Sequence, residues 1–382
     1  MNEIAQATES RVEKQATWLE LDRSALRHNL AQIISLTLPS AALMAVVKAN
    51  AYGHGLSEVA QCLRGQVSYF GVASVEEALA LRRFEIDTPI LLFGVPLGEA
   101  IEVAIQAGVS LAVSSAEQAK EISGWAQKLK KPAAIHIKID TGMGRLGIPK
   151  SSAVQVIEEI AAFDMLQLEG VFTHFPQGED EHDPFTHEQI RSFYRILEKA
   201  DAKGIHFAYR HAANSIGIAH HRDAHFNLVR PGLTLYGLYP SASLKRKLVL
   251  KPILAWRARI ILMKKLGRGE SVGYGRTFVT DEETNIGILP VGYSHGYPFS
   301  LSNKGMVLLH GKCYPIVGRV SMDYLTVNFG PRFSDAKVGD IATILGQDGD
   351  NEISTEVLAE IAGTIPYEIV TRLNPTIPRF VL

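Results

Sequence analysis

Between residues 43 and 229 short apolar runs alternate with helical patterns, and this alternation restricts the fold more than any other feature of the chain. The runs cover residues 43–47, 69–72, 90–93, 109–113, 135–139 and 168–173, then a strand opening at 207–209, and finally 226–229. Each is short, continuous and bounded by turn residues, as expected of a strand buried on both faces. Helical stripes lie between them, such as Leu56, Val59, Ala60 and Leu63, or Ile190, Phe193, Ile196 and Leu197. Asp22, Ser74 with Glu77, and Ser115 with Gln118 stand where N-caps and capping boxes belong. Eight strand–helix units in about 200 residues are the pattern and size of a closed (β/α)8 TIM-like barrel, an α/β fold.

The pattern changes after Tyr239. Strand-like runs at 254–266, 285–290, 306–310, 314–317, 325–328 and 341–345 follow at short spacing, with a turn at Asp348-Gly349 and one helix over 355–362. The expected organisation is a polar tail over 1–17, a barrel domain over 18–245, with 18–21 a short extended segment, and a C-terminal mostly-β domain over 246–382. Apolar residues make up 46% of the chain and charged residues 21%, which excludes a disordered chain. A net charge of −1 with no basic run argues against nucleic acid and against an anionic membrane surface. Cys62 and Cys313 fit no zinc spacing and read as free thiols in a reducing compartment. No signal peptide or membrane-spanning run is present, so the expected location is the cytoplasm.

In a barrel of this kind the strand ends build the reactive face. Lys48, the stretch 138–145, His174, the stretch 211–215 and Arg230 all fall there. Taken singly, each has a plainer reading. A strand-end lysine or arginine is commonly solvated, a histidine such as His174 is commonly a satisfied core residue, and Tyr274 alone reads as a half-buried strand tyrosine. Gly142-Met143-Gly144-Arg145-Leu146-Gly147 spells a dinucleotide-type G-x-G-x-x-G with Asp164 beyond it. It follows the fifth strand, however, and not an opening βαβ unit. The acidic loop 179–183 with His187, and the group His220, His221 and His225, lack ligand spacing; both read as solvated surface, with no metal.

Seven motifs in order decide among these readings. The stretch Lys48-Ala49-Asn50-Ala51-Tyr52-Gly53-His54-Gly55 resembles the cofactor-lysine motif of the alanine racemases. The resemblance continues through Asp140-Thr141-Gly142-Met143-Gly144-Arg145, Thr173-His174-Phe175, Asn214-Ser215, Arg230-Pro231-Gly232, Gly273-Tyr274-Gly275 and Gly318-Arg319-Val320-Ser321-Met322-Asp323. It implies a homodimeric enzyme that interconverts L- and D-alanine through an aldimine of pyridoxal 5'-phosphate and supplies D-alanine for peptidoglycan. By resemblance, Lys48 links the cofactor and is one base, and Tyr274 of the partner subunit is the other, with His174 as its relay. Arg230 faces the pyridine nitrogen. Tyr52, Asn214, Ser215, Gly232, Leu233 and Tyr367 hold the cofactor, mainly at its phosphate. Arg145 contacts its phenolic oxygen, Met322 offers a backbone N–H to the substrate carboxylate, and Lys138 occupies a position carbamylated in many relatives.

The chain departs from the family pattern at Ser294-His295, where Ala-Asp is usual, at Phe299, where arginine is usual, and at Ser321, where cysteine is common. The first two bear on substrate range. Three other functions remain open from the residues. One is a racemase of broader range. Another is an amino-acid decarboxylase of the same architecture, whose cysteine motif does not surround Cys313. The third is a cofactor carrier, which would need no second base.

Overall fold

The structure, a computed structural model, describes residues 12–331 and 336–382; residues 1–11 of the expected polar tail lie outside the described residues. The chain divides into two compact units. Of the described residues, one comprises Arg27–Ala51 and Val59–Leu250; the other comprises those up to Leu26, Tyr52–Glu58 and those from Lys251 to Leu382. The first strand, β1 (Thr17–Leu21), belongs to the latter.

In the former unit the strands are β2 (Ala42–Val46), β3 (Tyr69–Val72), β4 (Ile90–Leu92), β5 (Ser110–Val113), β6 (Ala133–Asp140), β7 (Ile148–Pro149), β8 (Leu166–Phe172), β9 (Tyr209–His211) and β10 (Leu228–Val229). They pair in parallel in the order β10-β2-β3-β4-β5-β6-β8-β9, with the two-residue β7 beside the end of β6. The Arg230 N–H donates to the Ala213 carbonyl at 3.0 Å, and a parallel bridge between Asn214 and Arg230 joins the two ends into a nearly closed barrel. The eight-fold alternation in the sequence is therefore the eight strands of this barrel. The seventh and eighth begin two residues later than the apolar pattern suggests, at Tyr209 and Leu228.

Met44, Tyr69, Leu91, Ala112, Phe172 and Leu228, drawn from six strands, form one buried cluster. Burying a side chain of this size contributes roughly 1.5–3 kcal/mol relative to leaving it exposed. The helices start where the caps predict. Ser74 Oγ accepts the Glu77 N–H at 3.3 Å and Ser115 Oγ the Gln118 N–H at 3.2 Å. In both capping boxes the return bond comes from the residue before the cap: Ala73 N–H to Glu77 and Ser114 N–H to Gln118, each at 2.8 Å.

The other unit holds β11 (Leu254–Arg259), β12 (Leu262–Leu266), β13 (Ser271–Val272), β14 (Phe278–Val279), β15 (Thr284–Leu289), β16 (Met306–Leu309), β17 (Lys312–Pro315), β18 (Leu325–Gly330), β19 (Ile341–Asp348), β20 (Asn351–Ile353) and β21 (Arg379–Val381). The main sheet runs β17-β16-β19-β11-β1-β21, and β12-β15-β18 form a second. Two expectations are corrected here. The single strand expected over 254–266 is two strands in different sheets. The sequence also groups 18–21 with the barrel, but β1 pairs antiparallel with β11, Leu19 opposite Trp256, and parallel with β21. Trp18 and Leu19 are fully buried there. A five-residue apolar run signals burial without specifying which sheet it joins. The helix Thr355–Ala362 is as expected; a second, Pro366–Thr371, opens on a proline at its first position. No helix of the described residues is long and apolar enough to cross a membrane.

Candidate active site

Lys48 leaves the end of β2 into an unusual turn. Ala49, Asn50, Ala51 and Tyr52 all have φ between 52° and 54°, a left-handed helical turn that costs non-glycine residues roughly 1–2 kcal/mol each. Hydrogen bonds hold it. The Ala51 N–H donates to the Val47 carbonyl at 2.8 Å, and the Asn50 N–H donates to Glu77 Oε1 at 3.2 Å. Glu77, which the sequence assigns only to a capping box, therefore ties the lysine turn to the next strand–helix connection. The turn ends at Gly53, where a Cβ would lie 1.8 Å from the Val370 carbonyl oxygen. That glycine serves chain packing.

Around Lys48 the barrel mouth gathers positive charge. Lys138 lies near the end of β6. Asp140 shapes the loop carrying Arg145 by accepting the N–H groups of Gly142, Met143 and Gly144 at 2.8–3.1 Å. That loop is a turn braced by one carboxylate, not a dinucleotide cradle. Among the described residues none of Lys48, Lys138 and Arg145 forms an ion pair. Burial, then the Arg145 charge, lower the Lys48 pKa, against an opposing pull from Glu77. Burial lowers Lys138 to about 8, helped by Arg145 and Arg230. His174 is held neutral by burial, with Arg230 and Lys138 adding to the effect.

Arg230 follows β10 and is 4% exposed. It donates to the Thr173 carbonyl at 2.8 Å, the Ala212 carbonyl at 2.9 Å, His211 Nδ1 at 2.9 Å and His174 Nδ1 at 3.3 Å. Burial lowers its pKa to about 9, which leaves it cationic at neutral pH. His211 Nε2 meets His136 Nδ1 at 2.9 Å, and His136 Nε2 meets Glu169 Oε2 at 3.2 Å. Glu169 also accepts from Ser110 Oγ at 2.6 Å. Burial opposes ionisation of Glu169, but the hydrogen bonds from His136, Ser110 and Tyr69 outweigh it and hold its pKa at about 2.

In the sequence His211 falls at a strand end within the stretch 211–215, whereas His136 and Glu169 belong to no motif. One signal was present in β6: Ile135, Ile137 and Ile139 alternate with His136, Lys138 and Asp140, so one face of a buried strand is polar throughout.

On the far side of Arg230, Ser215 Oγ accepts from the Gly232 N–H at 2.9 Å and from Thr234 Oγ1 at 3.0 Å. Its lone pairs are used and its own proton is left to donate. Asn214 caps the following helix, its side chain accepting the Gly217 N–H at 3.0 Å. Leu233 opens a 3-10 turn, where the first N–H groups have no partner within the helix.

In the β unit, Tyr52 and Tyr367 stand with ring centroids 6.1 Å apart. Tyr274 lies in the turn between β13 and β14 and is 71% exposed; Met322 is also exposed. The turn at Gly318 packs close to Val272, and the Ser294 N–H donates to the Met322 carbonyl at 3.0 Å. The atypical residues have local partners. Ser294 Oγ donates to Asp323 at 2.8 Å, the Gly292 N–H donates to His295 Nδ1 at 3.2 Å, and Phe299 meets Tyr293 edge-to-face.

The histidine-rich segments are corrected. His221 and His225 are buried, not solvated, and bond the Gly178 and Ile218 carbonyls. His220 bridges Glu181 and Ser243. No cluster of three or more potential metal ligands occurs among the described residues.

Two family models match this chain: "Alanine racemase, N-terminal domain" over residues 21–240 and "Alanine racemase, C-terminal domain" over residues 253–381. The chain belongs to the alanine racemase family. The Methanococcus maripaludis alanine racemase is 39% identical over 96% of this chain and 98% of its own length. The Clostridium difficile alanine racemase structure superposes with a TM-score of 0.92 at 34% identity, covering 97% of this chain and 96% of that one. A Bartonella henselae alanine racemase with covalently bound pyridoxal phosphate superposes with a TM-score of 0.83 at 29% identity, covering 96% and 100%. By these likenesses the chain is an amino-acid racemase, an isomerase of the alanine racemase type.

Proposed function

We propose that this enzyme interconverts L- and D-alanine with pyridoxal 5'-phosphate, as a cytoplasmic homodimer whose sites draw on both subunits, and that its D-alanine serves peptidoglycan. The observation that carries the reading is the barrel mouth itself. A lysine of lowered pKa stands at a strand end among the Lys138, Arg145 and Arg230 charges, which outweigh the opposing pull of Glu77 and Asp140, and the same barrel carries a serine with a proton to give. That donor set suits an anionic cofactor with a carbonyl carbon. Lys48 would hold the carbonyl carbon. Ser215, Tyr52, Tyr367 and the backbone at Gly232 and Leu233 would hold the phosphate, with Asn214 fixing the helix that presents Ser215. Arg145 would face the phenolic oxygen, and Arg230 the ring nitrogen.

When bound, the cofactor supplies a ring system that spreads the negative charge left as the α-proton departs. The protein moves the protons. Lys48, its pKa lowered by burial, takes and returns a proton on one face of the α-carbon. The phenol of Tyr274 of the partner subunit does the same on the opposite face, with His174 relaying its proton. Met322 N–H binds the substrate carboxylate. Arg230 keeps its protons, so a ring nitrogen facing it stays unprotonated, which limits charge on the ring and disfavours transamination. The lowered pKa of Lys138 leaves part of the amine neutral. A neutral amine can add carbon dioxide, losing one proton to give a carbamate that would orient Arg145.

The test is a purified protein that is yellow, bleached by borohydride with the label on Lys48, and that racemises L-alanine in deuterated water with exchange of the α-proton. A protein that takes up no pyridoxal phosphate refutes the reading, and release of an amine points to decarboxylation. Phe299 pairs with Tyr293 at a position where relatives usually carry arginine, so it bears on the substrate range. Turnover of alanine, serine and lysine side by side measures that range.

A further inference from the structure

Arginine only donates hydrogen bonds, so each N–H of Arg230 needs an acceptor. Two of its partners are carbonyls, which always accept. His211 Nδ1 is different. A neutral imidazole accepts there only when its proton sits on Nε2; in the other tautomer two N–H groups would face each other at 2.9 Å. His136, the next group along, has the same ambiguity. Glu169 does not. An ionised carboxylate only accepts, so it requires a proton on His136 Nε2. That leaves a lone pair on His136 Nδ1, which requires the proton of His211 on Nε2. The remaining lone pair on His211 Nδ1 then faces Arg230.

We propose that Glu169, His136 and His211 form a tautomer-setting relay that keeps the Arg230 guanidinium in place at the barrel mouth, which makes all three positioning residues for the reaction. The role given to Arg230 rests on the proposed function; the relay itself does not.

The barrel is built around this chain of bonds. The pairing of β6 with β8 shifts register, Ile135 opposite Leu168 and His136 opposite Gly170, so Glu169 is the extra residue of a bulge in β8, set beside His136. Gly170 stands opposite His136, and a Cβ there would lie 2.3 Å from His136 Nδ1, so only glycine leaves room for the ring. His136 stacks on Tyr209, and His211 stacks on Phe172 with centroids 4.8 Å apart and planes 5° apart. Each ring is thus held in plane while its nitrogens point along the relay. Ser110 and Tyr69 fix the carboxylate at the far end.

The experiment compares wild type, Glu169→Leu, Glu169→Gln and Ser110→Ala as holoenzymes, with 15N-histidine spectra of wild type and Glu169→Leu. The leucine variant removes the acceptor. Its kcat should fall about 10- to 100-fold, as when outer partners of a reactive group are lost, with KM within about twofold and a changed visible absorption of the bound cofactor. Glu169→Gln still offers an amide oxygen to His136 and should recover most of the loss. Ser110→Ala leaves the charge but removes one of its anchors, and should lose less than the leucine variant. In wild type, His211 and His136 should both be neutral with the proton on Nε2; in Glu169→Leu the tautomers should mix. A leucine variant with wild-type kcat and absorption, or a wild-type His211 protonated on Nδ1, overturns the proposal. If Glu169→Leu does not fold, the wild-type 15N spectrum decides. A wild type that neither binds pyridoxal phosphate nor racemises alanine would defeat the functional reading and leave the tautomers readable.

Discussion

Arg230 and Tyr274 are both assigned to one reaction, yet their surroundings are opposite. Arg230 is 4% exposed and meets four acceptors, backed by a relay of two histidines and a carboxylate. Tyr274 is 71% exposed, on a short turn, and its hydroxyl has no hydrogen-bond partner among the described residues. The barrel mouth is assembled and locked within one chain. The turn around Tyr274 only presents a side chain, which the proposed dimer would seat against the partner subunit. Change at the mouth should therefore disturb structure, cofactor and rate together. Change at Tyr274 should disturb rate alone.

The largest effect should come from Lys48→Ala, which removes a base and the covalent anchor. Racemisation should fall by more than about 1,000-fold, with loss of the borohydride label, and a variant still labelled at wild-type stoichiometry would move the anchor to another lysine. Tyr274→Phe should keep the cofactor and cost about 100- to 10,000-fold in L-to-D turnover. Because the side chain is exposed, its stability should stay within about 0.5 kcal/mol of wild type, measured by denaturant titration. A substantial stability loss there would erase the contrast between the two regions.

Gly170→Ala sharpens the comparison from the barrel side. With its Cβ forced onto the His136 ring, it should lose about 1–3 kcal/mol. Gly124→Ala, in a helix with open space around it, should instead gain about 0.5–1 kcal/mol. Equal effects of the two would show that the His136 site is not tightly packed.

The smallest effect is a pH dependence. Burial lowers the pKa values of His136, His174 and His211 in the folded chain below the ordinary 6.5. The unfolded chain then binds protons that the folded one refuses, so stability is full above about pH 6.5 and falls as pH drops through that value. Glu169, held at about 2, extends the loss below about pH 4.3. Denaturation midpoints at pH 8 and pH 5.5 measure this, and identical midpoints would mean that the histidines charge freely in the folded state.

The same contrast explains what could be read from the sequence. The barrel strands were legible because each is a continuous apolar run, and the caps at Ser74 and Ser115 because their side chains bond where their residue types predict. Lys48, Lys138, His174 and Arg230 were placed at the mouth by counting strand ends alone. Sheet partners were not legible: β1 and β11 are apolar stretches 233 residues apart whose pairing depends on tertiary contacts. The left-handed turn at Ala49 was also hidden: Asn50 tolerates positive φ, but the alanines on either side give no such signal, and its bond to Glu77 is long-range. Nor could the relay be assembled from sequence. Its members lie on three strands and meet where a bulge sets Glu169 and a glycine leaves room for the His136 ring.

The shared site can be tested by mixing. Lys48→Ala and Tyr274→Phe, each inactive alone, are combined under conditions that exchange subunits. If each site takes Lys48 from one chain and Tyr274 from the other, every hybrid dimer holds one intact site, and activity should return to about a quarter of wild type. If both residues serve the same chain, no hybrid site is intact and no activity should appear; that result, with exchange verified, would contradict the account.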